Sequence, residues 1–364
     1  MKTFPPVVAG LFAIALALPH PSEAAERTVF EAAVRESDRL ALFSTTDLTA
    51  MRPIIEHFQK LRPDLAIDYV DALTNELYDA VSSDGGWEGL VPDVVISSAM
   101  DLQVKLVNDG FAQPHKSAET ARLPDWANWR NEAFGFTFEP AVIVYNPRTL
   151  PPEDIPSTRF DLVNLLREKS GLYQGRIATY DIAQSGVGYL FATQDARQAH
   201  TFGRLIESFG RNAVRLSCCT ADVLQAIEDG RVLIGYNLLG SYTRNRILRG
   251  ASLVMVLPRD YALVMSRVAF IHRHAPNIAA ARAFLDYLLS LAGQGVLARE
   301  SSLYSVHPDL SGPGTAEELN AETEGPLRPI NLGPGLLVYL DRMKRQRFLD
   351  DWRTAMGSNR VDSD

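Results

Sequence analysis

Ala178-Thr-Tyr-Asp-Ile-Ala-Gln-Ser-Gly-Val-Gly-Tyr-Leu190 passes from one backbone type to another within a few residues. The run Arg176 to Thr179 has strand character, a polar turn centred on Ser185, Gly186 and Gly188 breaks it, and Tyr189, Leu190 and Phe191 begin a helix-like apolar run. Glycines let the backbone approach a guest, the Ser185 hydroxyl can donate, and the free N–H groups of a helix start favour an anion. Strand, polar turn and helix therefore form a cradle for a ligand. They equally form an ordinary β-to-helix loop in which Ser185 caps the helix. Repetition of the design along the chain decides how much weight the first reading carries.

Upstream, Leu40 to Phe43 reads as a short buried strand followed by Ser44-Thr45-Thr46-Asp47, and Met51, Ile54, Phe58 and Leu61 then follow helical spacing. Pro53 is tolerated in the first turn of that helix and Pro63 closes it. Ala66 to Val70 and Asp93 to Ile96 are further strands, separated by a helix from Asn75 to Val81 and an Asp84-Gly85-Gly86 turn. Ser97 and Ser98 end the second strand, and Leu102 and Leu106 lie on the helix after it. Downstream, Val223, Ile227 and Gly230 mark a helix and its stop, Val232 to Tyr236 a strand, and Asn237 its polar tip, with Tyr242 close behind. Strands alternating with helices imply α/β architecture with a largely parallel sheet, in which ligands bind at the carboxyl ends of strands. The hydroxyl-bearing tips fall at that edge. Each could also serve only as a helix cap, a turn or a packing residue.

Phe134 to Phe138 and Ala141 to Tyr145 read as strands broken at Glu139-Pro140, and the prolines that follow mark a crossing into a second lobe. Leu253 to Leu257 and Tyr261 to Ile271 read as returning strands. Arg267 lies among β-type neighbours, so it is either exposed on one sheet face or directed at an anion. A long helix begins at Pro276-Asn277, and a Gly- and Pro-rich spacer leads to an amphipathic helix from Gly335 to Met356, whose basic run Arg342 to Arg347 reads as a solvated face.

The 364 residues suit two domains, with 46% hydrophobic and 22% charged residues as in ordinary globular chains. A formal charge of −8 argues against nucleic acid as a partner. Lys2, the apolar run Val7 to Leu18 and the small-residue pattern Ser22-Glu23-Ala24 predict a signal peptide over 1–24, hence export to the periplasm. An oxidising compartment would allow Cys218 and Cys219 to bridge; as sequence neighbours they would form a strained vicinal disulfide, with two free thiols the alternative. There is no Gly-x-Ser-x-Gly elbow, no His-Glu-x-x-His, no phosphate loop and no dinucleotide fingerprint. We expect no enzyme activity, no catalytic residues, no cofactor and no resident metal, with His272 and His274 at the surface.

The order of Phe43-Ser-Thr-Thr-Asp47, Pro92-Asp-Val-Val-Ile-Ser-Ser98, Ser185-Gly-Val-Gly188 and Ile227-Glu-Asp-Gly-Arg-Val-Leu-Ile-Gly-Tyr236 resembles the periplasmic solute-binding proteins of ABC importers. The likeness is to the ferric-iron-type class, and within it to the branch of the phosphoglycerate-transport regulatory protein. It covers roughly residues 38 to 310. The resemblance implies a type II two-lobed fold, each lobe a mainly parallel sheet flanked by helices, joined by a two-strand hinge. Lobe 1 would comprise 38–138 and 259–364, including a C-terminal helical extension, and lobe 2 would comprise 139–258. Iron-binding members present two consecutive tyrosines, whereas Tyr236 here is followed by Asn237 and Tyr242 stands apart. A small phosphorylated or carboxylated solute is thus the expected ligand, with ferric iron the alternative. Ser44, Thr45, Thr46, Ser97 and Ser98 would hold it from one lobe, Ser185, Gly186, Val187, Asn237 and Tyr242 from the other, with Arg267 supplying charge. The expected partners are ABC permease subunits or, for a sensor adaptor, a histidine-kinase ectodomain; the protein itself is expected to be a monomer.

Overall fold

The computed structural model describes residues 25–83, 85–198 and 200–357; the expected signal peptide and Asp84 of the expected turn lie outside the described residues. Strands β1 (Glu26–Phe30), β2 (Asp38–Ser44), β3 (Leu65–Asp71) and β4 (Val94–Ser97) alternate with helices α1 (Leu48–Leu61), α2 (Thr74–Ser82) and α3 (Met100–Asn108). Short strands β5 (Ala112–Gln113), β6 (Asn128–Trp129) and β7 (Ala133–Gly135) follow. Beyond them come β8 (Glu139–Tyr145), α4 (Arg159–Glu168), α5 (Ser170–Tyr173), β9 (Ile177–Tyr180), α6 (Gly186–Gln198) and α7 (Phe202–Arg211). Next are β10 (Arg215–Ser217), α8 (Thr220–Glu228), β11 (Ile234–Leu239), α9 (Gly240–Leu248), β12 (Val254–Val256) and β13 (Ala262–Met265). The chain ends through β14 (Val268–His272), α10 (Ile278–Leu289), α11 (Leu291–Glu300), α12 (Ala316–Glu322), β15 (Leu327–Pro329) and α13 (Arg342–Ala355).

These strands form two sheets. The first runs β1-β3-β2-β4-β14-β7-β6, with β5 on β14; the second runs β10-β9-β11-β8-β13-β15, with β12 on β8. Each has a parallel core, β3-β2-β4 and β10-β9-β11, as the alternation of strand and helix requires. Antiparallel strands extend both cores because β8 and β14 enter from the opposite lobe. In the first lobe Met51, Ile54, Ile55 and Phe58 of α1 pack with Phe284, Leu285 and Leu288 of α10. Pro53 sits inside α1 as expected.

The two crossings lie side by side. Residues 136–138 link β7 to β8 and Ser266–Arg267 link β13 to β14, and the segments bond to each other through Phe136 N to Arg267 O (3.0 Å), Thr137 N to Ser266 Oγ (3.1 Å) and Arg267 N to Thr137 Oγ1 (2.8 Å). The return crossing therefore comes at residue 266 rather than 259, because Ala262–Met265 still pairs in the second sheet. Glu139 and Pro140 lie inside β8 instead of breaking it.

The C-terminal segment also departs from the expected single helix on lobe 1. Pro334–Tyr339 is a 3-10 turn packed on α3, whereas β15 pairs with β13 and α13 packs on α7 of the second lobe. Gly210 of α7 admits that contact, since a Cβ there would lie 1.8 Å from the Ala355 carbonyl oxygen. His272 is buried at the end of β14, where its Nδ1 accepts from the His274 N–H (3.3 Å); only His274 is exposed as expected.

Candidate functional site

The first-lobe hydroxyls form one linked set at the carboxyl ends of β2 and β4. Ser44 Oγ accepts from Thr46 N (2.9 Å), Thr45 Oγ1 donates to Ser97 Oγ (3.2 Å) and accepts from Ser98 N (3.2 Å), and Ser97 Oγ accepts from Ala99 N (3.1 Å). Ser44, Thr46, Ser97 and Ser98 are buried. Such turns hold their own backbone in shape and leave the start of α3 behind Ser98 facing the second lobe.

From that second lobe comes the start of α6. Ser185 Oγ accepts from Gly188 N (3.2 Å), the capping alternative, while its hydroxyl hydrogen stays available. Gly186 touches the first lobe: a Cβ built on it would lie 2.7 Å from Thr74 Cγ2 and 3.1 Å from Ala99 Cβ. Only glycine allows this approach. Two helix starts, α3 and α6, thus meet across the cleft, and Val187 is buried behind them.

Two cavities open between the lobes. One, about 190 Å³, is lined by Asp47, Thr49, Ser241, Tyr242, Arg246 and Arg249 among others. The other, about 250 Å³, is lined by Asn75, Tyr78, Asp101, Ser185, Gly186 and Arg345 among others. Of the expected residues, Tyr242 belongs to the first cavity and Ser185 and Gly186 to the second.

Arg267 is neither exposed on a sheet face nor free to meet an anion: it is buried and its charge is already matched. Its Nε donates to Glu139 Oε1 (2.8 Å) and its Nη1 to Thr46 Oγ1 (2.9 Å), so it ties the hinge to the first lobe. Thr137 Oγ1 donates to Glu139 Oε1 (2.9 Å), and the Ser241 hydroxyl donates to Glu139 Oε2. The Tyr242 ring lies 5.6 Å from the guanidinium. Burial works against the Arg267 charge, yet Glu139, with Tyr242 and Asp47, holds its pKa above the ordinary value. Arg267 is therefore no spare cation for a ligand.

Asn237 is also committed elsewhere. Its φ of 57° marks a bulge between Gly235 and Leu238, and its amide donates to Asp195 Oδ2 (2.7 Å) instead of capping a strand tip. Asp195 accepts as well from Tyr236 (2.8 Å) and Tyr261 (2.6 Å), and Arg159 Nη2 stands 3.2 Å away. This knot fastens α6, and with it the Ser185–Gly186 turn, to the second sheet. Cys218 and Cys219 are joined as a vicinal disulfide ahead of α8, beside Asp222.

Sequence reasoning missed Glu139, Ser241, Asp101 and Arg345. Glu139 carried a signal, an acid inside an otherwise apolar run; the others looked like ordinary helix surface.

Two α/β lobes, hinged by adjacent crossing strands around a polar cleft, define a solute-binding protein. The family described as bacterial extracellular solute-binding protein matches residues 42–300, and the chain belongs to it. It is similar to the substrate-binding protein of an ABC transporter from Agrobacterium tumefaciens, 40% identical over 92% of this chain and 100% of that one, with a TM-score of 0.85. AfuA of Actinobacillus pleuropneumoniae, solved with fructose-6-phosphate, shares the fold at 15% identity, 88% and 99% coverage and a TM-score of 0.71. Iron-bound HitA of Pseudomonas aeruginosa does so at 16% identity, 87% and 99% coverage and a TM-score of 0.66. No match was found among curated proteins.

Proposed function

We propose that this chain is a periplasmic protein that captures a small phosphorylated or carboxylated solute between its lobes by hinge closure and passes it to the permease subunits of an ABC importer. The observation that carries the reading is the meeting of the α3 and α6 starts across the cleft at Gly186, with hydroxyls rather than a metal-ligand set around them. Helix starts favour negative charge, and Ser98 and Ser185 offer hydroxyls to its oxygens. The named ligands of the distant relatives are iron and fructose-6-phosphate. The donor chemistry here favours the oxyanion, since the Tyr236 hydroxyl is spent on Asp195, Asn237 stands where a second consecutive tyrosine would be, and Asn237 is spent on the same carboxylate. Closure follows if the bound ligand contacts both lobes, because only then does it bind the closed form better.

A thermal-shift screen against phosphorylated sugars, phosphoglycerates, di- and tricarboxylates and ferric iron tests the proposal. A solute at 100 times its dissociation constant stabilises by about 2.7 kcal/mol, a readily visible rise in melting temperature. We expect a rise with at least one anion; a rise with iron alone, or with nothing, would overturn the reading.

A further inference from the structure

The C-terminal segment is more than an appendage. It leaves α12 to pair β15 with β13 in the second lobe, and Leu332 N then donates to Trp126 O (2.8 Å) beside the first sheet. The 3-10 turn Pro334–Tyr339 lies on α3, and Tyr189 of α6 donates its hydroxyl to Tyr339 O (2.6 Å). Phe348 of α13 stacks on Phe202 of α7 (6.3 Å) and meets Tyr339 edge-on (5.4 Å), and Trp352, one turn further along α13, also stacks with Phe202 (6.4 Å). These contacts fix the first turns of α13, which Asp341 caps by accepting from Lys344 N (3.1 Å).

One side chain of the basic run is held apart from the solvent-facing rest. Arg342, Lys344 and Arg347 are exposed, whereas Arg345 is half-buried and lines the 250 Å³ cavity. Its guanidinium stands 5.2 Å from the Tyr189 ring centroid, and among the described residues no carboxylate lies within ion-pair distance of it. The same cavity receives Ser185 and Gly186 from α6 and Asp101 from α3, the last buried to 4% of its full exposure with Oδ1 turned to Leu102 N (3.0 Å). Lys105, one turn further along α3, is paired with Asp109. The cation of the cavity without an ion pair is thus the one brought by the C-terminal helix, and the Asp101 carboxylate across the cavity feels its charge without reaching it.

We propose that Arg345 contacts the captured solute: its charged group sits against the guanidinium beside Ser185, and Asp101 on the first-lobe wall takes a hydrogen-bond donor of the same molecule. The solute is then a small anion bearing a hydroxyl or ammonium group. A guanidinium offers forked donors matched to phosphate or carboxylate oxygens, and a carboxylate in the same cavity disfavours a second negative group. This rests on the anion-binding reading above and names the residue and ligand class that reading leaves open. It also gives the extension a function, since a ligand held by α13 as well as by both lobes locks the segment over the closed cleft.

The test is calorimetric titration of the mature chain with inorganic phosphate and with glycerol 3-phosphate at matched ionic strength. Wild type should bind glycerol 3-phosphate more tightly than phosphate. Arg345→Gln should weaken both by about tenfold or more, Arg345→Lys should recover part of the loss, and Arg347→Gln should stay within about twofold of wild type. Equal affinity in Arg345→Gln, or an equal loss in Arg347→Gln, would overturn the assignment of Arg345. Failure of wild type to bind either probe, with screen hits confined to anions that lack a hydroxyl or ammonium group, would overturn the ligand class. A screen without any anion hit would sink the functional reading itself.

Discussion

Arg159 and Arg267 are both sealed from water beside a carboxylate, but they stand in mechanically different places. Arg159 opens α4 behind the Thr158–Asp161 capping box, donates to Tyr236 (2.8 Å) and to Tyr261 O (2.7 Å), and lies 3.7 Å from the Tyr261 ring centroid. All of its partners belong to the second lobe. Burial opposes its charge, while Tyr236, Asp195 and Tyr261 together hold its pKa above the ordinary value. Arg267 uses the same chemistry at the crossing itself, joining Thr46 of the first lobe to Glu139, which in turn accepts from Ser241 of the second. One knot lies within a lobe; the other spans the crossing, so its partners would shift if the lobes close as proposed. A buried ion pair is thus a sign of function only where its partners belong to different bodies.

The largest expected effect comes from breaking the rigid knot. Arg159→Met leaves Asp195 buried without its cation and should cost about 3–5 kcal/mol of second-lobe stability, read by urea unfolding. A cost below about 1 kcal/mol would show that the tyrosine hydroxyls alone satisfy Asp195. A smaller effect is expected at the hinge. Glu139→Gln keeps an acceptor for Arg267 and Thr137 but removes the charge, and should cost about 1–3 kcal/mol. It should also change affinity for a bound anion, whereas Asp195→Asn, which keeps one acceptor for the tyrosines, should change stability far more than affinity. Equal behaviour of the two variants in titration would erase the distinction between the knots.

Asp101 sharpens the comparison as a buried acid with no guanidinium in ion-pair range among the described residues. Burial lifts its carboxyl to about 6. The unfolded carboxyl titrates near 4, so the folded state binds the proton more tightly, and stability falls as pH rises from about 4 to about 6. Above that window the full cost persists. Asp101→Asn should therefore be more stable than wild type by about 1–3 kcal/mol at pH 7.5 and indistinguishable from it near pH 4, by thermal unfolding at both pH values. The opposite order at pH 7.5 would mean that the Asp101 charge is matched in solution.

The alternation of strands and helices was legible because hydrophobic period and turn chemistry are local. Leu40–Phe43, Ala66–Val70 and Asp93–Ile96 all fall within or beside observed strands. So was the Ser185–Gly186 turn, whose start of α6 reaches the cleft. Pairings over long sequence separations were not. Arg267 could be seen as misplaced, but its partner Glu139 stood where a proline had suggested a break. Asp195 follows Phe191 by one helical turn on a face that is buried, a signal overlooked because Asp is common on helix surfaces. Asn237 looked like a strand tip because its left-handed backbone, which lets the strand continue, does not show in residue type. Arg345 was hidden within a run of like charges whose members differ only in which way the helix turns them.

The central claim is that the lobes close on a small oxyanion. Small-angle scattering of residues 25–364, with and without each anion of the panel and with ferric iron, addresses it directly. The account predicts that at least one phosphorylated or carboxylated solute lowers the radius of gyration while ferric iron leaves it unchanged. Contraction with iron alone, or no contraction with any anion, would contradict it.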